Sequence, residues 1–358
     1  SNLFGMDYML AMIISAVVIV GYTALGGFLA ASTTDLIQSC VMTIALVVVL
    51  CFGVNVAGGL DAVVQNAQTL PGYLAMNASY DAASNAAVPY GPLTIVSTLA
   101  WGLGYFGMPH ILLRFMAIEN EQKLTTSRRV ATVWVVISMF IAVLIGMVGL
   151  GMTNVGALPV LEGSASETVI VQISSLMAEH GVLLALAAGV TLAGILAATM
   201  STADSQLLAA SSSVSKDLMW GVFKVKMTEK QSMLIARSTL LVIAAIAIIL
   251  ARDPDSSVFK IVSFAWAGFG AAFGPVVLFA LFWKRANKWG ALCGMISGGV
   301  LVFVWKFLVR PLGGAFDLYE LLPAFLLNCV VLVVVSLLTA PPEKKIVDTF
   351  EEYRAMGK

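Results

Sequence analysis

Long apolar runs separated by short polar segments dominate this chain. Crossing a bilayer as a helix takes about 20 apolar residues. Nine stretches meet or approach that length: 7–24, 33–56, 93–113, 130–152, 181–213, 231–251, 258–283, 289–309 and 319–340. The fifth is too long for one straight crossing, so tilt or protrusion is expected there. The 57–92 connection is rich in Ala, Asn and Gly and carries Pro71, Pro89 and Pro92, which predicts short surface helices and no separate folded domain. The last residues, 342–358, read as a charged amphipathic tail.

The basic residues sort the connections. Segments 114–129, 213–237, 284–288 and 342–358 hold Arg114, Lys123, Arg128, Arg129, Lys216, Lys224, Lys226, Lys230, Arg237, Lys284, Arg285, Lys288, Lys344, Lys345, Arg354 and Lys358, most of the 20 basic residues. The alternate long connections, 57–92 and 153–178, have none, and the two short ones carry Arg252 and Arg310. Basic loops stay cytoplasmic. The chain is therefore expected to start outside, cross nine times and end inside. It opens "SNLFGMDYML" with an apolar run by residue 8, and is expected to be a fragment of a longer protein.

Composition agrees with the pattern. Of 358 residues, 59% are hydrophobic and 11% charged, against about 25% charged in soluble domains. Mean hydropathy is +0.95. A net charge of zero implies no bulk attraction to nucleic acid, so none is expected as a partner. Cys40, Cys51, Cys293 and Cys329 lie in apolar runs without a CxxC pair and read as packed thiols; His110 and His180 are too dispersed for a metal site.

Polar groups inside such runs carry information. Asp35, Asp204, Lys260 and Lys306 fall within the expected spans. The lysines sit near span ends and can snorkel. An ionisable group at the middle of a span costs at least about 2.5 kcal/mol and usually marks an ion or substrate path. "STTD" (32–35) also resembles a helix start, which would make Asp35 a cap. In "LAATMSTADSQLLAASS" (196–212), Ala198, Ser201, Thr202 and Ser205 share one helical face, with Asp204 flanking it. A backbone carbonyl, hydroxyls and a carboxylate are hard ligands, suited to a small hard cation, Na⁺ first. The alternative is Ser and Thr bonding back to their own helix.

Two spans contain breakers. "WGLGYFGMPH" (101–110) holds Gly102, Gly104, Gly107 and Pro109, and "WAGFGAAFGP" (266–275) holds Gly268, Gly270, Gly274 and Pro275. Interrupted helices at membrane depth survive only where protein or water covers the freed backbone, and they point to a transporter's binding site. Trp101 and Tyr105, four residues apart, would place their rings together on an α-helix, either against an organic solute or as a helix-packing pair. No GxSxG occurs and neither His neighbours a plausible nucleophilic Ser, so an intramembrane hydrolase has no candidate machinery.

"GYTALGGFLAASTTDLIQ" (21–38), "WGLGYFGMPHILLRFMA" (101–117), "GILAATMSTADSQLL" (194–208) and "AWAGFGAAFGPVVLFALFWKR" (265–285) resemble the solute:sodium symporter family, and the likeness continues through "VWKFL" (304–308) and "LYELLPAF" (318–325). The resemblance implies an all-α polytopic membrane protein with the leucine-transporter-type inverted-repeat fold. It implies that 1–56 are the last two helices of the first repeat, 57–92 an extracellular loop, 93–283 the second five-helix repeat, 284–340 two peripheral helices and 341–358 a cytoplasmic tail. The first three core helices would then be missing partners from the same protein. The resemblance further implies a bacterial inner-membrane carrier that is not an enzyme. It would couple Na⁺ to a small organic solute by alternating access, proline first, with pantothenate, another amino acid or an organic acid as alternatives; a sensor module on the same scaffold is a further one. No organic cofactor is implied. By the same resemblance, Ala198, Ser201 and Thr202 would bind sodium. Asp35, Asp204 and Ser205 would form a second sodium or coupling site, and Trp101, Tyr105, Met108 and Pro109 would meet the solute.

Overall fold

The computed structural model describes residues 6–81, 83–253 and 257–356. Almost all of its regular structure is helical. In chain order it contains α1 (Tyr8–Val56), α2 (Leu60–Thr69), β1 (Ala78–Asp81), β2 (Ala86–Pro89), α3 (Pro92–Leu99), α4 (Pro109–Met116), α5 (Lys123–Asn154), α6 (Val169–Ala178), α7 (Val182–Ser212), α8 (Glu229–Leu250), α9 (Val258–Phe282), α10 (Lys288–Val304), α11 (Leu321–Leu338) and α12 (Lys344–Met356). Among the described residues, eight helices are long and apolar enough to cross a membrane. The ninth expected span, 93–113, is not one helix. It runs as α3, a 3₁₀ stretch over Ala100–Gly107 and α4. Its glycines and Pro109 break the α-helical register that the apolar pattern alone suggested.

Other differences have local causes. The spans expected at 7–24 and 33–56 are joined without a loop, as two arms, Tyr8–Leu29 and Ala31–Val56, of a kinked α1. The kink is Gly27, at φ 63° and ψ −162°, a conformation open to glycine and strained for any residue with a Cβ. Asp35 therefore lies inside the second arm and caps no helix start; the cap of α1 is Asp7, whose carboxylate accepts from the Leu10 amide at 3.1 Å. The long fifth span continues past α7 as a π-helix over Ser213–Val222. The 57–92 connection holds the expected short helix, α2, and also an antiparallel hairpin, β1–β2, pairing Ala78 with Pro89 and Asp81 with Ala86. The four cysteines are free, but Cys40 and Cys51 lie on exposed faces and are not packed.

The chain divides into two compact units. The first comprises Ser1–Pro71 and Ile118–Ser257. Here α7 lies along α1, brought close by Gly194, where a Cβ would stand 3.0 Å from the Ala45 Cβ. Val49, Ile145, Val148, Met152 and Ile173 form a buried cluster between α1, α5 and α6. Thr228 and Gln231 make a capping box that starts α8.

The second unit comprises Gly72–Ala117 and Val258–Lys358. Its helices meet through glycine. Gly290, Gly294 and Gly298, at four-residue spacing on α10, face α11 and α9; a Cβ on them would come within 2.0 Å of Ser336 Oγ, 2.2 Å of Asn328 Oδ1 and 2.4 Å of the Ala271 carbonyl oxygen. Small residues at this spacing let backbones approach where water supplies no hydrophobic drive. Lys306 does not simply snorkel: its Nζ is 3.7 Å from a carboxylate oxygen of buried Glu320 and 3.8 Å from the Phe264 ring centroid.

The α10–α11 pair is closed at one end by Asn287. Its Oδ1 caps α10 by accepting from the Gly290 amide at 2.9 Å, while Nδ2 donates to Thr339 Oγ1 and the Ala340 carbonyl, both at 2.8 Å, and to the Ser336 carbonyl at 3.3 Å. Loss of a cap costs about 1 kcal/mol and each lost hydrogen bond about 1 more. Asn287→Ala is expected to lower the apparent melting temperature of the purified protein by roughly 2–5 °C. Asn287→Asp, which keeps the cap and loses the Nδ2 donors, is expected to fall between. A melt of the two variants beside wild type checks the order.

Candidate functional site

The polar stretch of α7 belongs to the first unit. Ser201 Oγ donates to the Ala198 carbonyl at 3.0 Å, and Thr202 Oγ1 donates to the same oxygen at 3.2 Å. Three oxygens are thereby gathered within one turn of helix. The distance of each hydroxyl from the carbonyl oxygen matches that of neighbouring ligands around a hard cation, since two oxygens at about 2.4 Å from one ion lie about 3 Å apart. Each hydroxyl hydrogen is spent on the carbonyl, which leaves the hydroxyl lone pairs as acceptors. The donor set fits a small hard cation and contains no soft ligand. No group of three or more His, Cys, Asp or Glu residues suited to a metal occurs among the described residues.

Asp204, one turn from Ser201, is completely buried. Its Oδ2 accepts from the Tyr22 hydroxyl at 2.9 Å and its Oδ1 from Ser205 Oγ at 3.2 Å. Tyr22 also reaches the Met200 carbonyl at 3.3 Å. Asp35 lies within electrostatic reach of both Asp204 and Tyr22. The structure thus brings Asp35, Asp204 and Ser205 into one neighbourhood where α7 faces the two arms of α1. Tyr22 completes it, and only its position in "GYTALGG", one turn before the Gly27 kink, could have pointed to it.

The second unit holds the interrupted segment. Eight residues of 3₁₀-helix is a long run, and mid-span 3₁₀ structure often marks a functional hinge. With three residues per turn, positions four apart no longer share a face, so the direct Trp101–Tyr105 pairing expected on an α-helix gives way to a different arrangement. Trp266 of α9 stands between them, stacked on Trp101 (centroids 5.7 Å, 17°) and edge-on to Tyr105 (4.8 Å, 84°). Trp101 also stacks on Phe259 and on Tyr319. Trp266 Nε1 donates to the Trp101 carbonyl at 3.0 Å. Tyr105 is 47% exposed, whereas Met108 is buried at 4%. Met108 sits at the break itself, with extended backbone (φ −79°, ψ 112°), and its carbonyl receives the amides of Ile111 and Leu112. Pro109 takes the first position of α4, where its missing N–H leaves no bond unmade.

Close approach holds this segment on α9. A Cβ on Gly104 would lie 1.9 Å from Trp266 Nε1, and one on Gly107 would lie 2.4 Å from the Phe269 carbonyl oxygen. Facing them on α9, a Cβ on Gly270 would come 2.6 Å from the Gly104 Cα. Gly104 and Gly107 of the first stretch and Gly270 and Gly274 of the second, separate signals in the sequence, are therefore two halves of one contact, while Gly102 and Gly268 face open space.

Comparisons with known proteins place the chain. The model of the sodium:solute symporter family matches residues 1–298. A sodium/proline symporter of Haemophilus influenzae is 39% identical over 98% of this chain and 68% of its own length. An osmoregulated proline transporter of Bacillus subtilis is 37% identical over 95% and 65%, and a high-affinity proline transporter of the same organism is 36% identical over 99% and 70%. The chain thus spans about two thirds of the length of the curated relatives it matches. Among solved structures, a Na⁺-coupled sialic acid symporter in a substrate-bound outward-open state superposes with a TM-score of 0.73 at 18% identity, covering 96% of this chain and 69% of that one. This likeness carries the fold: an all-α polytopic membrane protein of the leucine-transporter type. With a family match over most of its residues and relatives more than one-third identical along nearly its whole length, the chain belongs to the sodium:solute symporter family.

Proposed function

We propose that these residues form the cation-binding and solute-binding part of a sodium-driven symporter whose solute is L-proline. The observation that carries the sodium reading is the gathering of the Ala198 carbonyl, Ser201 Oγ and Thr202 Oγ1 within one helical turn inside an apolar span. The proline reading rests on the proline symporters and transporters among the relatives. In this reading the three oxygens are sodium ligands, and Asp35, Asp204 and Ser205 make a second coupling site that Tyr22 helps to order. Trp101 and Tyr105, set by Trp266, receive the pyrrolidine ring beside the break at Met108 and Pro109. Residues 1–56 then close the first repeat, 57–92 form an outer loop, 93–283 make the second repeat, 284–340 are peripheral and 341–358 a cytoplasmic tail. The distribution of basic residues puts the start of the chain outside and its end in the cytoplasm of a bacterium. Transport of this kind makes and breaks no covalent bond.

The energetics are sufficient. One Na⁺ moving down 100 mV releases about 2.3 kcal/mol. A tenfold concentration gradient adds roughly 1.4 kcal/mol, and the two together support accumulation of roughly several hundred-fold. A second Na⁺ would roughly square that ratio.

Uptake of labelled proline into proteoliposomes containing the whole natural polypeptide tests the assignment. Uptake is expected to require an inward Na⁺ gradient. Ser201→Ala and Thr202→Ala are each expected to raise the Na⁺ concentration for half-maximal uptake about tenfold, the effect of losing one charge-assisted contact of about 1.5 kcal/mol. Na⁺-driven flux of pantothenate or another amino acid without proline uptake would keep the sodium reading and replace the solute. Indifference of every solute to Na⁺ would sink the sodium reading of residues 198–202.

The second site has its own signature. With Asp35, Asp204 and Ser205 binding a second ion, the Na⁺ dependence of wild-type uptake is expected to be sigmoidal. Asp204→Asn is expected to bring the Hill coefficient down towards one while leaving saturable uptake. An unchanged Hill coefficient in both Asp204→Asn and Asp35→Asn would remove the second site.

A further inference from the structure

Pro275 lies inside α9 and lacks the N–H that an uninterrupted helix would direct at the carbonyl of Ala271. In an apolar surrounding that carbonyl needs another donor. The structure provides one from a different helix. Asn328 of α11, completely buried, donates from Nδ2 to the Ala271 carbonyl at 2.7 Å and to the Ala272 carbonyl at 2.9 Å. Its Oδ1 has no hydrogen-bond partner and points at Gly294, where a Cβ would stand 2.2 Å away. The carboxamide is therefore oriented by its NH₂ group, both hydrogens of which go to the broken turn.

The broken turn is also the seat of the interrupted segment. Gly270 and Gly274 flank Ala271 and Ala272 on α9. A Cβ on Gly107 would meet the Gly270 Cα and the Gly274 nitrogen, both at 2.9 Å, and a Cβ on Gly274 would lie 3.5 Å from the Leu103 carbonyl oxygen. From the other side α11 closes on the same turn with one face. Leu321 Cδ1 would touch a Gly270 Cβ at 3.0 Å, Phe325 Cε2 would touch a Gly274 Cβ at 2.7 Å, and Asn328 supplies the hydrogen bonds. Residues 321, 325 and 328 follow the four- and three-residue spacing of a single helical stripe. Backbone packed this closely on both sides cannot change its course at this turn without moving the 3₁₀ stretch and, with it, Trp101 and Tyr105.

We propose that Asn328 is a positioning residue for the solute site: by replacing the donor that Pro275 removes, it fixes the turn of α9 on which the Trp101–Met108 segment rests. The assignment builds on the proposed solute role of that segment. Asn328 touches no solute; its effect passes through the Ala271 and Ala272 carbonyls.

A double-mutant cycle tests it. Asn328→Leu keeps the volume and removes both donors. It is expected to raise the half-saturating proline concentration at least fivefold at normal membrane abundance, with the half-saturating Na⁺ concentration at saturating proline unchanged. Pro275→Ala restores an N–H aimed at Ala271. In the Asn328→Leu/Pro275→Ala variant the rise, measured against Pro275→Ala alone, is expected to shrink below twofold. An equal rise in both backgrounds, or no rise in either, overturns the proposal, because a packing role for Asn328 would be indifferent to residue 275. Where Asn328→Leu does not reach the membrane, Asn328→Asp, isosteric and lacking both N–H donors, takes its place in the same cycle. A second readout needs no transport: the rate of maleimide modification of Tyr105→Cys, in a background with Ser at positions 40, 51, 293 and 329. That rate is expected to change with Asn328→Leu and to return in the double variant; a rate unaffected by either substitution overturns the proposal. Absence of proline uptake by the wild type, with the labelling cycle intact, would refute the proline assignment and leave the role of Asn328 standing.

Discussion

A backbone that bends inside hydrocarbon must find a hydrogen-bond partner for every group it frees, and this constraint organises the structure around its candidate sites. At three interruptions among the described spans, a side chain from another helix donates to a carbonyl. Near the Gly27 kink of α1, Arg237 Nε of α8 donates to the Ala24 carbonyl at 3.0 Å. At the 3₁₀ stretch, Trp266 Nε1 serves the Trp101 carbonyl. At Pro275, Asn328 serves two. Arginine, an indole and a carboxamide have little in common except an N–H on a reach long enough to cross between helices. Each interruption is thereby tied to one particular neighbour, so the bends are defined features of the fold and not loose points in it.

Glycine makes the same ties sterically possible. Within the second unit α9, α10, α11 and the interrupted segment draw together at Gly104, Gly107, Gly270, Gly274, Gly294 and Gly298, and at each the space for a Cβ is already taken. Packing this close replaces the hydrophobic drive that lipid cannot provide with dispersion contacts and short carbonyl interactions. Glu320 shows the polar version. It is 1% exposed and held by Arg310 Nη1 at 3.1 Å and by Lys306, while its neighbour Tyr319 donates to the Ser263 carbonyl at 2.6 Å and stacks on Trp101. A carboxylate so placed is tolerated only because two cations answer it.

The apolar periodicity of the chain marks the eight membrane-length helices among the described residues within a few residues at most ends, because length and composition suffice for that. It also marks the 93–113 stretch as abnormal, through Gly102, Gly104, Gly107 and Pro109, but not as 3₁₀-helix: the placing of Trp101 and Tyr105 on one face assumed 3.6 residues per turn. The candidate ligands on α7 are legible because they lie within eight consecutive positions. Tyr22, Trp266 and Asn328 are not. Tyr22 is 182 residues from Asp204, Trp266 is 165 from Trp101, and Asn328 is 57 from Ala271. Nothing local distinguishes an indole that caps a broken carbonyl from one that faces lipid. Glu320 is illegible for the opposite reason, since a carboxylate beside a span end reads as solvated in sequence, whereas Arg310 and Lys306 fold back on it.

The hydroxyls of Ser201 and Thr202 show how a structural and a functional reading of one residue can be the same observation. Both bond back to the Ala198 carbonyl, which is what any serine or threonine within a helix does when nothing else is near. That bond fixes where each hydroxyl hydrogen goes and so fixes where its lone pairs are left. It also brings the three oxygens together without any help from outside the helix, so in the proposed sodium reading the ordering entropy of the ligands would be met by folding and not by the ion. In the proposed sodium reading, a cation at this turn would meet the hydroxyl lone pairs directly and would replace a back-bond at the carbonyl, so the same bonds that order the helix would place its ligands.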